Sequence, residues 1–281
     1  MRRDGERESA ALHALDALRF EAGRTAERRS DVVAVEEPLE IRVAGDTFAT
    51  TMRTPGHDQE LALGFLFAEG LINSRRDVGA AAHCGRPGDE GWGNVIEIVP
   101  APGTLIDLER SAAARRGTLV TSACGVCGRR TIDDLIARAA PLEDGLRVQS
   151  RVLCELVERL HAEQVNFRKS GGLHAAGLAT AEGGLLFARE DVGRHNAVDK
   201  LIGRLLLDDA LPASGRILIV SGRSSFEIVQ KALIARIPLV LSVSAPSSLA
   251  VAIAERASMT LVGFARDGAF NVYAGIERVR E

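Results

Sequence analysis

The second half of the chain switches regularly between two hydrophobic periods. Short apolar or alternating runs at 172–178, 184–188, 216–221, 238–244, 260–264 and 269–273 predict strands. Segments with apolar residues three and four apart, at 151–164, 196–207, 225–236 and 247–257, predict helices. In the first of these helices Leu153, Leu156, Val157 and Leu160 share one face. The turn Ala181-Glu182-Gly183 joins the first two strands. Strands alternating with helices at this spacing predict an α/β layer on a mostly parallel sheet.

The first half reads differently. Runs at 38–43 and 47–52 around Ala44-Gly45-Asp46 predict a hairpin, ended by Pro55-Gly56. Asp58 is placed to cap a helix running through Leu61, Phe65 and Leu66, and Gly70 to stop it in a left-handed conformation. Residues 84–93, rich in Gly, Pro and charge, predict a loop; 94–99 and 117–121 predict strands and 131–139 a helix. Residues 1–30 are charged and mixed, and a weak spacing of Leu12, Leu15 and Leu18 predicts a short helix within a mobile start. The change of pattern at 140–148 divides the chain into that start (1–30), a smaller α+β domain (31–140) and an α/β domain (141–281).

Composition narrows the function. A chain of 281 residues fits two domains at a prior of roughly 150 residues each. Only 4% of residues are aromatic, so the core must be aliphatic. With 35 basic and 38 acidic residues there is no bulk attraction to nucleic acid or anionic lipid, so a phosphate-bearing ligand needs a local site. No apolar run approaches the roughly 18 residues of a membrane span. The Arg-rich but equally acidic N-terminus reads as neither a secretory signal nor a transit peptide. Cytoplasmic placement is expected. Four cysteines in this length are not a disulfide scaffold.

The chemistry concentrates at Thr121-Ser122-Ala123-Cys124-Gly125-Val126-Cys127-Gly128-Arg129-Arg130. Gly125 and Gly128 let the backbone bend and keep side chains off the sulfurs, while Arg129 and Arg130 favour the thiolate, the reactive form. Two such thiols can exchange disulfides, bind a soft metal, or accept and pass on sulfur. Elsewhere, Ser221-Gly222-Arg223-Ser224-Ser225 and Ser244-Ala245-Pro246-Ser247-Ser248 each lead from a predicted strand into a helix. Ligands of open α/β sheets bind beyond the carboxyl ends of strands. Helix N-termini there suit phosphate, and Arg223 adds a fork for an anion. Helix capping would explain the serines equally well.

Phe264-Ala265-Arg266-Asp267-Gly268-Ala269 reads as a hairpin on Asp267-Gly268. It can also be read as a rim in which Phe264 stacks on a flat ring and Arg266 holds a phosphate, though the residues alone favour the hairpin. The stretch Arg189-Glu190-Asp191-Val192-Gly193-Arg194-His195-Asn196 gathers five ionisable groups at a strand-to-helix junction, which makes His195 a candidate for a direct role. His174, inside a predicted strand, reads as a satisfied core histidine.

Six segments resemble the family of FdhD, the formate dehydrogenase accessory sulfurtransferases. They are Glu36-Glu37-Pro38-Leu39, Met52-Arg53-Thr54-Pro55-Gly56, Glu60-Leu61-Ala62-Leu63-Gly64-Phe65-Leu66, Ser122–Gly128, Asp191–Lys200 and Ser221-Gly222-Arg223. The resemblance runs in consistent order from about residue 30 to the C-terminus; residues 1–30 lie outside it. It implies a protein that takes persulfide sulfur from a cysteine desulfurase and passes it to the molybdenum (or tungsten) bis-guanine-dinucleotide cofactor before that cofactor enters formate dehydrogenase. It puts the persulfide on Cys124 and Cys127, with Cys124 first choice as carrier. It maps cofactor binding onto Phe264, Ala265, Arg266, Asp267, Gly268 and Ala269, and so raises the rim reading above the hairpin; Ser221 and Arg223 join as candidates. It also implies a homodimer and a cytidine-deaminase-like three-layer C-terminal domain with a mixed sheet, beside the smaller N-terminal α+β domain. No permanent metal is expected.

Three other chemistries are weaker. Zinc deaminases need His-x-Glu followed by Pro-Cys-x-x-Cys; His174-Ala175-Ala176 lacks the Glu, and the cysteine pair lies upstream without a proline. A disulfide oxidoreductase predicts the cysteine pair at a helix start within a thioredoxin-like order of elements, but here Gly128 follows directly. A metal-binding module would use Cys84, Cys124, Cys127 and Cys154, yet four-thiolate zinc sites pair two close Cys-x-x-Cys motifs. Cys84 and Cys154 are isolated, and Cys154 reads as an inert thiol on the apolar side of its helix.

Overall fold

The computed structural model describes residues 11–86, 92–107, 141–142 and 145–281. The expected strand at 117–121, the expected helix at 131–139 and the cysteine loop lie outside the described residues.

The chain starts with a correction. The stretch expected to be helical is β1 (Leu12–Arg19), paired antiparallel with β2 (Glu27–Ala34). The reason lies in the partner: the β-branched Val32 and Val33 stand opposite Ala14 and His13, and an isolated helix this short is marginal in water. The predicted hairpin follows as β3 (Glu37–Val43) and β4 (Asp46–Arg53). Gly56, at φ 107, turns the chain into α1 (Asp58–Ala68). Asp58 is not the cap. His57 holds that position in a left-handed conformation, and the Asp58 carboxylate turns back to Arg53, at 3.0 and 3.2 Å.

A strand the apolar pattern did not reveal, β5 (Val78–His83), precedes β6 (Val95–Pro100). Its sequence is mostly Gly and Ala, which carry little β signal. The order β4-β3-β6-β5 makes a four-stranded sheet with β3 and β6 parallel.

After β7 (Val148–Gln149), helix α2 (Ser150–Glu163) and the short α3 (Val165–Ser170) lead to β8 (His174–Thr180) and β9 (Leu185–Asp191). Then come α4 (Arg194–Leu207), β10 (Arg216–Val220), α5 (Phe226–Ile234), β11 (Leu239–Ser242) and α6 (Ser248–Arg256). The chain closes with β12 (Thr260–Arg266), β13 (Ala269–Ala274) and β14 (Val279–Arg280). The larger sheet runs β13-β12-β11-β10-β8-β9. Only its β10–β11 and β11–β12 pairs are parallel; the rest are antiparallel. The sheet is therefore mixed, as the family resemblance implies, and not mostly parallel, as the spacing of strands and helices predicts, because β8–β9 and β12–β13 are hairpins and hairpins force antiparallel pairing.

Period-two alternation assigns the faces. Ala176, Leu178, Leu218, Val220, Val240 and Leu261 pack toward α4, α5 and α6. Ala175, Ala179, Ile217, Ile219, Leu239 and Leu241 pack toward Leu153, Leu156 and Leu160 of α2. Helices thus cover both faces, in three layers. No described helix is long and apolar enough to cross a membrane.

The first-half elements share the core of the α4 face. Helix α1 is buried nearly all round and crosses α4 with backbone against backbone. A Cβ at Gly64 would stand 1.9 Å from the Asp199 carbonyl oxygen, and one at Gly203 1.8 Å from that of Glu60. The Glu60 carboxylate meets Arg189 of β9 with two hydrogen bonds. Burial alone would raise its pKa, but Arg189 and His57 overcome that and hold it at about 2. Gly→Ala inside a helix ordinarily gains about 1 kcal/mol. At Gly64 or Gly203 the same change should instead cost about 3 kcal/mol by overpacking, read as a lower urea midpoint. Gly145→Ala, whose Cβ meets nothing within 4 Å, should stay within ~0.5 kcal/mol.

Candidate functional site

Three segments meet beyond the ends of β10, β11 and β12. The turn after β10 lies beside the turn after β11: Ser224 bridges Pro246, and Ser247 N–H donates to the Ser224 carbonyl at 3.0 Å. The buried Ser242 hydroxyl ties them together, its Oγ 2.7 Å from the Gly222 carbonyl and 2.9 Å from that of Ser244. Phe264 N–H donates to the Ser244 carbonyl at 3.2 Å and brings the 264–269 hairpin alongside. Ser221, Arg223 and residues 264–269 therefore share one edge of the sheet.

The two serine turns differ in use. Ser247 caps α6, its hydroxyl accepting from Ala250 N–H at 3.3 Å. Ser225, at the N-cap of α5, makes no side-chain cap bond; its hydroxyl lies 3.0 Å from His195 Nε2. Capping thus explains the second turn and not the first. The first turn of α5 has no serine oxygen on its N–H groups and carries the Glu227 carboxylate instead.

In the hairpin, Asp267 and Gly268 have φ of 53 and 72, the positive pair that a type I′ turn requires. Phe264 also has positive φ, 55, an uncommon conformation for a bulky residue, of order 1–3 kcal/mol in strain. It falls where the β12–β13 register shifts, between Gly263 and Arg266. Ala265 turns inward and is buried, while Arg266, Asp267, Gly268 and Ala269 are exposed. The Phe264 ring is 38% exposed, and the Arg266 guanidinium stands 6.0 Å from its centroid. A flat apolar surface and a cation are thus presented together, with the exposed Arg223 on the neighbouring turn.

His195 is half-buried between α4 and the first turn of α5, with Glu227 at 3.6 Å besides Ser225. Burial and the adjacent Arg194 charge push its pKa down to about 4, so the ring is neutral at pH 7. His174 is not a core histidine. It is the first residue of β8 and lies at the site's edge: a Cβ on Gly222 would meet its Nδ1 at 3.3 Å. With Ser221 and Gln164 it lines a cavity beside α2 and α3. The apolar pattern missed both residues. His174 could have been placed by noting that a strand antiparallel to β10 must begin where β10 ends; Gln164 carries no such signal.

The charged stretch before α4 mostly holds the molecule together. Asp191, fully buried, lies 2.7 Å from the Lys200 ammonium, which also donates to the Thr54 carbonyl at 2.9 Å. Asp191 accepts from Thr54 N–H at 3.2 Å, Gly193 N–H at 2.8 Å and Asn196 Nδ2 at 2.9 Å. Asn196 Nδ2 reaches the Met52 carbonyl at 2.7 Å. Two of the recognised segments, at 52–56 and 191–200, thus lock onto each other. Cys124, Cys127, Arg129 and Arg130 lie outside the described residues. Cys84 and Cys154 are free thiols; Cys154 is half-buried rather than sealed in the core.

These features define a mixed α/β protein in which two serine-rich turns and the 264–269 hairpin meet at one edge, beyond its parallel strands. A model of the FdhD/NarQ family matches residues 34–280, and the chain belongs to that family. It is 53% identical over 255 residues to the sulfur carrier protein FdhD of Anaeromyxobacter dehalogenans strain 2CP-1, covering 89% of this chain and 88% of that one. It is 47% identical over 258 residues to the protein of the same name from Nocardia farcinica, covering 90% of each. A formate dehydrogenase accessory protein from Desulfotalea psychrophila shares the fold, with a TM-score of 0.74 at 24% identity over 96% of this chain and 100% of that one.

Removing the Asp191 carboxylate would leave Lys200 charged and buried. Asp191→Ala should therefore cost about 3–5 kcal/mol, seen in urea unfolding, and Asp191→Ala combined with Lys200→Met should recover part of the loss.

Proposed function

We propose that the protein is a sulfur carrier serving formate dehydrogenase. It accepts persulfide sulfur from a cysteine desulfurase and hands it to a molybdenum (or tungsten) bis-guanine-dinucleotide cofactor, which is its substrate. The single observation that carries this reading is the 53% identity, over nearly the whole chain, to a protein named for sulfur carriage, in a chain that keeps Cys124 and Cys127 at carrier spacing. We place the activity in the cytoplasm and expect a homodimer.

In this reading the Cys124 thiolate, favoured by Arg129 and Arg130, attacks the outer sulfur of the donor persulfide. The donor's S–S bond breaks, the donor leaves as a thiolate, and Cys124 keeps the sulfur as its own persulfide. Cys127 can then attack the inner sulfur, closing a disulfide and releasing hydrosulfide toward the metal; a thiol reductant reopens that disulfide. The exposed Phe264 ring, Arg266 and Arg223 support a nucleotide bound at the sheet edge: a face for a base and positive charge for phosphates.

Mass spectrometry after incubation with a desulfurase and cysteine tests the carrier. The wild type should gain sulfur on the peptide holding Cys124, and Cys124→Ala should gain none; loading of that variant would reassign the carrier. Arg266→Ala should load sulfur normally but bind GDP about tenfold more weakly or worse, the loss of a charge-assisted contact, measured by calorimetry. Unchanged affinity would move the nucleotide elsewhere.

A further inference from the structure

The hairpin of β1 and β2 is a sheet of two strands only. The family match begins at residue 34, so this hairpin is an addition to the shared fold. Its base is held. Val35 N–H donates to the Ala11 carbonyl at 2.9 Å, and Ala34 stands against Gly172, where an added Cβ would come within 3.4 Å of it. Beyond the base it projects: every residue from 18 to 31 is exposed. Its eight-residue strands give it a length of roughly 27 Å.

A lone two-stranded hairpin is marginal in water. This one exposes Leu15 and Val33 on one face and Leu18 on the other. Among the described residues no strand pairs with the outer edge of β1 or of β2, and an open edge is a template for another strand.

The charges select that strand. Arg28 pairs with Asp16 at 3.8 Å, and Arg19 and Arg24 pair with Glu21 at 2.8 and 2.7 Å. Arg29 and Asp31 have no ion partner among the described residues. One Asp31 oxygen accepts from Val32 N–H at 2.8 Å, which leaves the other for a cation.

Two copies of one strand paired antiparallel are related by a two-fold axis through a residue. Opposite side chains must share a face, and faces alternate along the strand, so opposite residues differ by an even number. On β1 the carboxylate and the guanidinium, Asp16 and Arg19, differ by an odd number and never oppose each other. On β2 an axis through Arg29 sets Arg29 against itself and Glu27 against Asp31. An axis through Asp31 sets Asp31 against itself. An axis through Ser30 sets Arg29 of each copy against Asp31 of the other, twice, with serine facing serine and Arg28 and Glu27 facing Val32 and Val33. Opposite charges across strands stabilise a pair and like charges destabilise it.

We infer that the hairpin is an arm that pairs β2 with β2 of a second copy of this chain about Ser30, making one four-stranded sheet locked by two Arg29–Asp31 ion pairs. Three or more strands meet the condition that a lone hairpin misses. The contact names how the proposed homodimer is joined and rests on that part of the reading alone.

The experiment measures the self-association of the full chain by sedimentation, with wild type, Arg29→Asp, Asp31→Arg and the double swap. Each single swap should weaken association about tenfold or more and halve the assembled mass, and the double swap should restore it. Melting temperatures at low concentration should not change, since both side chains are exposed. Hydrogen exchange of the peptide 27–34 in wild type should slow as protein concentration rises, a reading that needs no variant. A wild type that stays monomeric overturns the arm. So does an assembled mass that survives both single swaps, which would give the dimer to residues 34–280. Protection of 27–34 that ignores concentration would assign the edge to the chain itself and also overturn it. Sulfur loading, followed on the same samples, should be normal in all four proteins. A wild type that pairs about Ser30 yet takes up no sulfur would overturn the carrier reading and leave the arm standing.

Discussion

The buried pair Asp191–Lys200 is the constraint on which the arrangement rests. Neither ion reaches solvent, and each is satisfied from outside its own element: Asp191 by the Thr54 amide, Lys200 by the Thr54 carbonyl. Two charges are expensive to bury and become tolerable only when every remaining donor and acceptor is met. The turn at 52–56 therefore has to sit against the β9–α4 junction. That contact sets where α1 lies, and Gly64 and Gly203 then let α1 close onto α4 without a side chain between them. The first turn of α4, carrying Arg194 and His195, is positioned by the same network that joins the two halves of the chain.

The state of the two serine turns follows from that placement. His195 comes close enough to Ser225 to draw its hydroxyl away from capping, whereas the Ser247 hydroxyl caps its helix. Two turns of nearly the same composition thus end in different states. The difference is made by a residue thirty positions upstream of Ser225.

Much of the fold was legible because it obeys simple periods. The hairpin of β3 and β4 and the helices α2, α4, α5 and α6 have the apolar spacing their packing needs, and their predicted limits lie within a few residues of the structure. Sheet direction was only half legible: turns as short as 181–183 and 267–268 leave no room for a crossover and force antiparallel pairs, but nothing in the pattern set β8 antiparallel beside β10. β5 was missed because small residues have no period to read, and β1 was misread because three leucines at helical spacing outweighed the valines of their partner strand. Glycine and serine after the apolar run placed Ser221 and Arg223 just past the end of β10, where the structure has them. Gln164 and His174 were invisible because their importance comes from neighbours distant in sequence. The charged stretch at 189–196 looked like chemistry and is chiefly architecture, a distinction that only burial could make.

The reversed direction of β8 carries a mechanical consequence. In an all-parallel sheet the ligand edge is formed by segments that follow strands, each free to vary without disturbing the layer beneath. Here one side of that edge is the segment entering β8, continuous with α3 and α2, and α2 is laid across the opposite face. A slip of α2 by a single residue, about 1.5 Å along its axis, would shift Leu160 against the sheet and move the cavity wall with it. Pocket width and interior packing are in this way one variable, so a change in the oily layer under the helix would be felt as a change in what the pocket admits.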